Sequence, residues 1–259
     1  MSSSKKVGII TGAANGIGRA VAIRLASRGV CVVLVDIDEE HLIEVADEIC
    51  SIGGECVRIV GDVSEAETSA RAVAAGSSLG SIRYLFNNAG IETVATIENL
   101  ELVDFRRTLE VNLDGYFLMS KACIPYMKKF LCGVIVNNSS DAGLRGMRKS
   151  IAYGPSKAGV IQFTKALCLD LAGHNIRVNC ICPGVIKTAL CDRFNDDLGK
   201  LAGIEGSEAQ ANFVEKHVPL KRWGTPEEVA ELVEFLFAEQ SSYINGAIIP
   251  IDGGLTAGI

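Results

Sequence analysis

The sequence has no apolar run long enough to cross a membrane. A spanning helix needs roughly 18–20 consecutive apolar residues, whereas the apolar runs here are short, like Cys31–Val35. Residues 1–6 lead directly into such a run, so we expect no hydrophobic signal-peptide core. We therefore expect a cytoplasmic protein with no membrane partner.

Long runs of one charge are also missing. The chain has 25 Lys and Arg residues against 31 Asp and Glu residues, a formal net charge of −6. No basic stretch is long enough to bind a nucleic-acid backbone, so we expect no nucleic-acid partner. The hydrophobic fraction of 48% over 259 residues instead predicts one domain with a sizeable core.

Histidine is scarce, and the cysteines lack metal-ligand spacing. The chain has three histidines, and no two of its nine cysteines are arranged as Cys-x-x-Cys. No histidine–cysteine cluster typical of a zinc site results, which disfavours a zinc alcohol dehydrogenase and predicts no metal. Scattered cysteines in apolar segments fit reduced, mostly buried thiols.

A glycine-rich turn follows the first apolar run. Val7–Thr11 predicts a strand buried on both faces, and an amphipathic stretch from Arg19 to about Ser27 predicts a helix. Gly12, Gly16 and Gly18 lie between them. This order is typical of a dinucleotide site, because glycines admit the pyrophosphate and the helix N-terminus supplies N–H groups. A tight strand–helix turn without a ligand is the alternative.

The second predicted strand ends at Asp36, about twenty residues beyond the glycines. A carboxylate there can accept hydrogen bonds from ribose hydroxyls and repels a 2′-phosphate. Neither Asn15 nor Ile37 supplies a nearby cation. The pattern therefore favours NAD (NADH) over NADP, and an acidic residue that caps the next helix is the alternative.

Tyr153 and Lys157 are four residues apart, so a helix places them on one face. A phenol titrates near 10, and we expect the cation to lower that pKa towards the range of a general acid/base. Ser140 lies thirteen residues upstream of Tyr153. An isolated Tyr-x-x-x-Lys is usually an ordinary helix pair, so a catalytic role depends on the glycine turn and Ser140.

Eight segments occur in the order and spacing of a known family. They are Thr11–Gly18, Gly61–Val63, Asn87–Gly90, Val111–Leu113, Ser139–Ser140, Tyr153–Lys157, Pro183–Thr188 and Ile251–Gly254. On these segments the chain resembles a classical short-chain dehydrogenase/reductase over essentially its whole length. The resemblance implies a single-domain Rossmann-type fold: a doubly wound parallel sheet of about seven strands with helices on both faces. It also implies a cofactor half over about 1–140 and a catalytic and lid half over about 140–259.

The resemblance implies four catalytic residues for hydride transfer. Tyr153 would be the general acid/base, and Lys157 would lower its pKa and hold the nicotinamide ribose. Ser140 would bind the substrate oxygen, with Ser139 as a less well spaced competitor. Asn112 would anchor a proton-relaying water, although an isolated Asn is most often a polar interruption of a helix.

The resemblance also implies the cofactor and substrate contacts. The cofactor residues would be Gly12, Asn15, Gly16, Ile17, Gly18, Asp36, Ile37, Asp62, Val63, Asn88, Ala89, Gly90, Tyr153, Lys157, Pro183, Gly184, Val185, Ile186 and Thr188. Thr188 could instead be a loop-capping hydroxyl. Ser140, Tyr153, Ala142 and Leu190 would contact the substrate, under a lid formed by about Ala189–Val218.

Two departures from the family pattern lie beside Ser140. Asp141 stands where relatives usually have a small or apolar residue, and Arg145, Arg148 and Lys149 make the following loop basic. One hypothesis is that this loop recognises an anionic substrate group. The alternative is a solvated loop with an internal Asp–Arg pair.

These observations predict an NAD-dependent oxidoreductase that moves hydride between nicotinamide and a secondary alcohol or ketone of cyclic or diol type. Asn88–Glu92 and Gly143–Gly146 resemble family members that act on such compounds. A 3-oxoacyl-(acyl-carrier-protein) reductase is the enzymatic alternative, and an NAD-sensing protein without catalysis is the remote one. By resemblance we expect a homotetramer, with helices near Leu102–Phe130 and Tyr153–Ala172 as its interface.

Overall fold

The strands form one parallel sheet in the order β3-β2-β1-β4-β5-β6-β7. The computed structural model describes residues 5–192, 196, 199 and 206–258. The seven strands are β1 Lys6–Thr11, β2 Cys31–Asp36, β3 Cys56–Val60, β4 Ser81–Asn87, β5 Gly133–Asn138, β6 Ile176–Pro183 and β7 Ile248–Ile251. Their carboxyl ends share one edge, where ligands bind in open α/β sheets.

Helices cover both faces of this sheet. They are α1 Gly16–Ser27, α2 Glu39–Ser51, α3 Ala66–Leu79, α4 Leu102–Leu109, α5 Gly115–Phe130, α6 Tyr153–Leu171, α7 Gly206–His217 and α8 Pro226–Phe237. Successive side chains of a strand point to opposite faces. Ile10 accordingly packs in the core with α1, α2 and α8, and Ile9 packs in the core with α3, α5 and α6. The predicted fold class is confirmed.

The helical pattern over Leu102–Phe130 corresponds to one continuous helical stretch, but this stretch contains a π-helical turn that the pattern did not predict. A π-helical turn, Glu110–Asp114, separates α4 from α5 and carries Asn112. Such bulges widen the helix by one residue and often lie at functional sites. Here the bulge lies where the buried Asn112 side chain forms hydrogen bonds with a neighbouring loop. Helical periodicity does not predict the bulge, because this contact is long-range in sequence.

Three other boundaries differ from the sequence prediction. Helix α1 begins at Gly16 rather than Arg19, because two glycines of the turn already lie in its first turn. The sequence pattern predicts the fourth strand over Tyr84–Asn88, whereas β4 covers Ser81–Asn87. It predicts the sixth strand over Ile176–Ile181, whereas β6 continues to Pro183 because Cys182 and Pro183 pair with β7.

Part of the predicted lid falls outside the described residues, namely 193–195, 197–198 and 200–205. Over residues 5–192 and 206–258, no helix is long and apolar enough to cross a membrane. In the same ranges, no group of three or more histidine, cysteine or acidic side chains is arranged to hold a metal ion.

Candidate active site

The glycine turn is too tight for larger residues at two positions. Gly12 has φ +64°, and a Cβ there would lie 2.7 Å from Asn88 Nδ2 and 2.9 Å from Ala89 Cα. A Cβ at Gly18 would lie 1.9 Å from the Gly12 oxygen. Only glycine fits these two positions, and the turn that they form leads into the N-terminus of α1, where a pyrophosphate group binds in dinucleotide sites. These residues fit a dinucleotide.

Asn88 holds this turn to the sheet. Its Nδ2 donates to the Thr11 and Gly12 oxygens at 3.0 and 3.1 Å, and its Oδ1 accepts from Asn138 Nδ2 at 2.8 Å. Asn88 thus joins the ends of three neighbouring strands, β1, β4 and β5. The turn at Asn88–Gly90 is fixed beside the glycines because of these bonds.

Asp36 lies at the end of β2 and binds the backbone of both adjoining loops. Its Oδ2 accepts from Ala14 N at 2.9 Å and its Oδ1 from Asp38 N at 3.1 Å. The helix cap that sequence left open as an alternative is made by Asp38, whose side chain accepts from His41 N. In the described ranges no Lys or Arg forms an ion pair with Asp36.

Asp62 is already engaged by protein groups. Its Oδ1 accepts from Ser64 N and Oγ at 2.9 and 2.7 Å, and Arg107 forms an ion pair with Oδ2. Burial alone would raise the pKa of Asp62, but the bonds from Ser64 and Arg107 outweigh it and the pKa is lowered. The neighbouring Val63 is buried against Gly115 of α5.

Asn112 clamps the loop that follows Gly90. Its Oδ1 accepts from Ile91 N at 2.8 Å, and its Nδ2 donates to the Ile91 oxygen at 2.9 Å. The same Nδ2 donates to Ser156 Oγ at 3.0 Å. The side chain is fully buried, so its position is set by a loop and by α6 together. A Cβ at Gly90 would lie 3.4 Å from Lys157 Nζ, which brings this loop to the lysine.

The two serines after β5 have different surroundings. Ser139 Oγ donates to the Lys157 backbone oxygen at 2.7 Å and so ties β5 to α6. Ser140 Oγ donates to Asp141 Oδ1 at 3.1 Å and accepts from Ala142 N at 3.2 Å. A hydrogen bond with Ser140 also acts on the Tyr153 phenol. Of the two hydroxyls, Ser140 is therefore the one beside Tyr153.

Lys157 is buried between two aromatic rings. Its Nζ donates to the Asn138 oxygen at 2.8 Å and lies 3.4 Å from Tyr116 Oη. The ring centroids of Tyr116 and Tyr153 are 5.4 and 5.6 Å from Nζ, within the range of cation–π attraction. Burial lowers the pKa of Lys157 from 10.5 to about 8. The sequence analysis missed Tyr116, although it follows Asn112 by four residues, one helical turn.

The pKa of Tyr153 is raised, so the expectation that Lys157 lowers it is wrong for the polypeptide by itself. Burial is the main cause, and the charges of Glu92 and Asp141 add to it, while the bond with Ser140 acts in the opposite direction. Desolvation penalises the phenolate. The Lys157 ammonium is also turned towards the Asn138 oxygen rather than solely towards the phenol.

Asp141 and Arg145 form a partly buried internal ion pair. Arg145 Nη2 and Nε donate to Asp141 Oδ2 at 2.7 and 3.1 Å. This is the alternative that the sequence left open for the basic loop. Arg148 is exposed and Lys149 is partly buried. Because Asp141 neutralises Arg145, this arginine is not free to bind an anionic substrate group, which weakens the hypothesis that the loop recognises one.

A second carboxyl group, Glu92, lies near the phenol and was not predicted. Its Oε1 accepts from Ser150 Oγ at 3.3 Å. Burial raises the pKa of Glu92 from 4.5 to about 7, with the nearby Asp141 charge acting in the same direction. The only sequence signal was that Glu92 directly follows the Asn88–Ile91 segment.

The loop after β6 returns to the glycine turn. Gly184 N donates to the Ile251 oxygen at 3.0 Å, and a Cβ at Gly16 would lie 3.0 Å from Thr188 Cγ2. Thr188 Oγ1 accepts from Cys191 N at 3.3 Å. Thr188 therefore caps a turn, as the alternative role supposed, and also lies at the predicted cofactor groove.

The remaining predicted residues fall into two groups. Asn15, Ile37, Ala89, Val185 and Ile186 lie on turns that border the sheet edge, Ile17 lies in the first turn of α1, and Pro183 is the last residue of β6. Ala142 is buried beside Ser140, and Leu190 is partly buried in the helical segment after Thr188. Their contacts with a cofactor or substrate stay predictions.

Comparisons with known proteins agree with this geometry. The family model described as enoyl-(acyl carrier protein) reductase matches residues 12–256. A cyclohexanol dehydrogenase of an Acinetobacter species is 37% identical over 256 residues, 98% of this chain and 96% of the relative. A 3-oxoacyl-(acyl-carrier-protein) reductase of Thermotoga maritima is 37% identical over 251 residues, 96% of this chain and 97% of the relative.

Solved structures share the whole fold. NAD+-bound xylitol dehydrogenase has a TM-score of 0.92 at 33% identity, covering 98% of this chain and 100% of the other. Actinorhodin polyketide ketoreductase with NADPH has a TM-score of 0.93 at 31% identity, covering 97% of each chain.

The fold and the site define an oxidoreductase that binds a nicotinamide cofactor. A single Rossmann-type sheet carries a glycine turn at one edge, and the Ser140, Tyr153 and Lys157 side chains lie near it. With the family match over nearly the full length, the chain belongs to the short-chain dehydrogenase/reductase family.

Proposed function

We propose that the protein is an NAD(H)-dependent dehydrogenase that interconverts a secondary alcohol and its ketone. The observation that carries the proposal is the cluster of Ser140, Tyr153 and Lys157 beside a dinucleotide turn whose neighbouring strand ends in Asp36. A cyclic alcohol or a diol is the proposed substrate type, supported by the names of the cyclohexanol and xylitol dehydrogenases above.

In the oxidative direction, Tyr153 removes the proton from the substrate hydroxyl while hydride leaves the carbinol carbon. NAD+, which the glycine turn, Asp36 and Lys157 would hold, would supply the hydride acceptor. Ser140 hydrogen-bonds the substrate oxygen, which favours the charge that develops on it. Reduction reverses these roles, and Tyr153 donates its proton to the ketone oxygen.

Lys157 has two proposed roles in this reaction. As an ammonium it attracts negative charge on Tyr153, whose ring centroid is 5.6 Å away, and it holds the nicotinamide ribose. Asn112 positions the loop at Ile91 and shares Ser156 with α6. Its role in a proton relay rests on the family resemblance.

Asp36 is the proposed determinant of cofactor choice. A carboxylate at this position accepts bonds from ribose hydroxyls and repels a 2′-phosphate. Cofactor preference also tests the second candidate, a 3-oxoacyl-(acyl-carrier-protein) reductase, which the Thermotoga relative favours. Reductases of that type usually carry basic NADP determinants at the positions of Asn15 and Asp36.

An alcohol screen with both cofactors tests the proposal. Reduction of NAD+ or NADP+ is followed at 340 nm with cyclic alcohols, diols, sugars and hydroxysteroids. We expect turnover with NAD+ and at least about tenfold lower kcat/KM with NADP+. Activity confined to NADPH and 3-oxoacyl thioesters would support the second candidate instead.

A homotetramer is the proposed assembly. Helices α4, α5 and α6, which form the interface in family members, carry exposed apolar side chains. The exposed fractions are 71% for Val103, 48% for Phe117 and 79% for Leu169. Isolated exposed apolar residues are common, so light scattering on a sizing column is the test. A mass near four times 27.5 kDa is expected, and a monomer mass would contradict it.

A further inference from the structure

Glu92 has a fixed backbone but a sparsely bonded side chain. Asn112 bonds both backbone groups of Ile91, at 2.8 and 2.9 Å, and Ala95 N donates to the Lys149 oxygen at 2.9 Å. The segment that carries Glu92 is therefore held at both ends against the Asp141–Ser150 loop. The Glu92 backbone therefore cannot shift away from the site without breaking these bonds.

The Glu92 carboxylate keeps most of its hydrogen-bonding capacity. An ionised carboxylate offers about four acceptor positions, and Ser150 Oγ occupies one at the long distance of 3.3 Å. Within the described ranges, no Lys or Arg forms an ion pair with Glu92, whereas Asp141 is paired with Arg145. Glu92 is thus the carboxyl group near the phenol with room for a further donor.

The charge of Glu92 acts on the reaction centre. Ser150, which bonds Glu92, accepts through its backbone oxygen from Gly154 N at 3.0 Å at the start of α6, next to Tyr153, and a Cβ at Gly90, two residues before Glu92, would lie 3.4 Å from Lys157 Nζ. The Glu92 charge accordingly raises the pKa of Tyr153 and of Lys157. The reacting hydroxyl of a substrate must lie at Tyr153 and Ser140, so Glu92 is a candidate partner for a second polar group on that substrate.

The chemistry of the group selects what it can bind. Above its pKa of about 7, the Glu92 carboxylate accepts hydrogen bonds and repels anions, so a hydroxyl donor fits and a carboxylate or phosphate of the substrate does not. A carboxylate at this place is the opposite of what the anion hypothesis for the same loop requires. Hydride transfer itself does not require this half-buried acid.

We propose that Glu92 is a substrate-binding residue that accepts a hydrogen bond from a second hydroxyl group near the reacting carbinol, so that the preferred substrate is a vicinal diol or polyol. The inference rests on the proposed dehydrogenase function and names its substrate class. The competing role is structural, a loop tie between Glu92 and Ser150.

The test compares cyclohexanol with cis-1,2-cyclohexanediol, using NAD+ and the full-length protein. The variants are Glu92→Gln, which keeps a neutral acceptor, and Glu92→Met, which removes it. Glu98→Gln is the matched control, because Glu98 is exposed on the same loop. Values of kcat/KM are taken at the pH plateau of each enzyme, so that a changed pKa of Tyr153 does not enter the comparison.

The expected result is a loss confined to the diol. Glu92→Met should lower kcat/KM for the diol by about 10- to 100-fold, because it removes a hydrogen bond between the substrate and a charged group. Glu92→Gln should fall between wild type and Glu92→Met, while cyclohexanol changes less than about threefold and Glu98→Gln matches wild type. The Gln variant keeps the test valid if the Met variant does not fold.

Several results would overturn the proposal. Equal losses on both alcohols in the Gln variant would assign Glu92 a structural role, and Ser150→Ala should then reproduce them. Unchanged kcat/KM for the diol in both Glu92 variants would show that Glu92 does not bind the substrate.

A larger loss of kcat/KM for 2-aminocyclohexanol than for the diol would show that Glu92 binds an ammonium group instead of a hydroxyl. If wild type oxidises neither alcohol but reduces 3-oxoacyl thioesters, the proposed function itself fails.

Discussion

At the scale of single residues, the site is a set of side chains whose charges are governed by burial. Lys157 and Tyr153 are both shifted towards their neutral forms because the interior disfavours charge. Glu92 is shifted in the same sense. The polypeptide alone therefore holds Tyr153 and Lys157 towards their neutral forms, and a positively charged nicotinamide would favour the phenolate of the proposed general base.

Tyr116→Phe tests the phenol that lies against Lys157. The change removes the hydroxyl 3.4 Å from Nζ and one donor to the Asn138 oxygen, but keeps the ring. Losing an acceptor makes the ammonium less stable, so the pKa of Lys157 should fall further. The alkaline limb of the pH profile of kcat/KM should move to lower pH.

The matched control for this prediction is Tyr126→Phe, on the same helix and only partly buried. Its pH profile should equal that of wild type. A Tyr116→Phe enzyme with an unchanged profile would mean that Tyr116 only fills space. Equal shifts in both variants would mean that the effect is not specific to the Lys157 contact.

At the scale of elements, the π-helical turn connects α6 to the loop after β4. It places Asn112 between Ile91 and Ser156, so α6 and the loop after β4 share one buried amide. This explains how an interruption of a long helix can serve the site. The strand ends supply the other fixed points through Asn88 and Asp36.

Asn112→Ala should be destabilising and should reduce activity. It leaves the Ile91 backbone groups without partners, which costs about 2–4 kcal/mol of unfolding free energy. Chemical denaturation measures the loss, and kcat/KM should fall along with it because the loop carrying Glu92 is released.

Thr225→Ala is the comparison at the element scale. Thr225 forms a capping box with Glu228 at the start of α8, and losing such a cap typically costs about 1 kcal/mol. Its kcat/KM should stay near that of wild type. If Asn112→Ala loses stability but keeps full activity, the turn has no role in arranging the site.

Much of the fold and part of the site could be predicted from local sequence. Apolar runs locate β1 and β2, glycine spacing locates the turn, and the four-residue spacing pairs Tyr153 with Lys157. Tyr116 and Glu92 could not be found this way, because their importance depends on contacts with residues 41 and 58 positions away. The sign of the Tyr153 shift also depends on burial, which spacing does not report.

At the scale of the whole molecule, the buried Lys157 links stability to pH. Its pKa is about 8 in the folded protein and 10.5 when exposed. Below about pH 8 Lys157 is protonated in both the folded and the unfolded protein, so the free-energy cost of burying its charge does not change with pH. Between about 8 and 10.5 the unfolded state binds more protons, so this residue's contribution to stability rises with pH.

Lys157→Met should remove that contribution. The unfolding free energy of wild type relative to the variant should increase by roughly 1 kcal/mol per pH unit across this window, and be flat below it. Denaturation curves from pH 6.5 to about 10 measure the difference. A difference that falls as pH rises would show that folding stabilises the ammonium rather than the amine.

The central claim is that Tyr153 transfers the proton in NAD-dependent alcohol oxidation. The most direct measurement is kcat/KM for an alcohol that wild type oxidises, compared between Tyr153→Phe and Ser139→Ala with the fold checked by circular dichroism. We expect Tyr153→Phe to lose about 10²- to 10⁴-fold, and Ser139→Ala, which loses a bond to the Lys157 backbone, to retain most activity. A Tyr153→Phe enzyme with wild-type turnover would contradict the account.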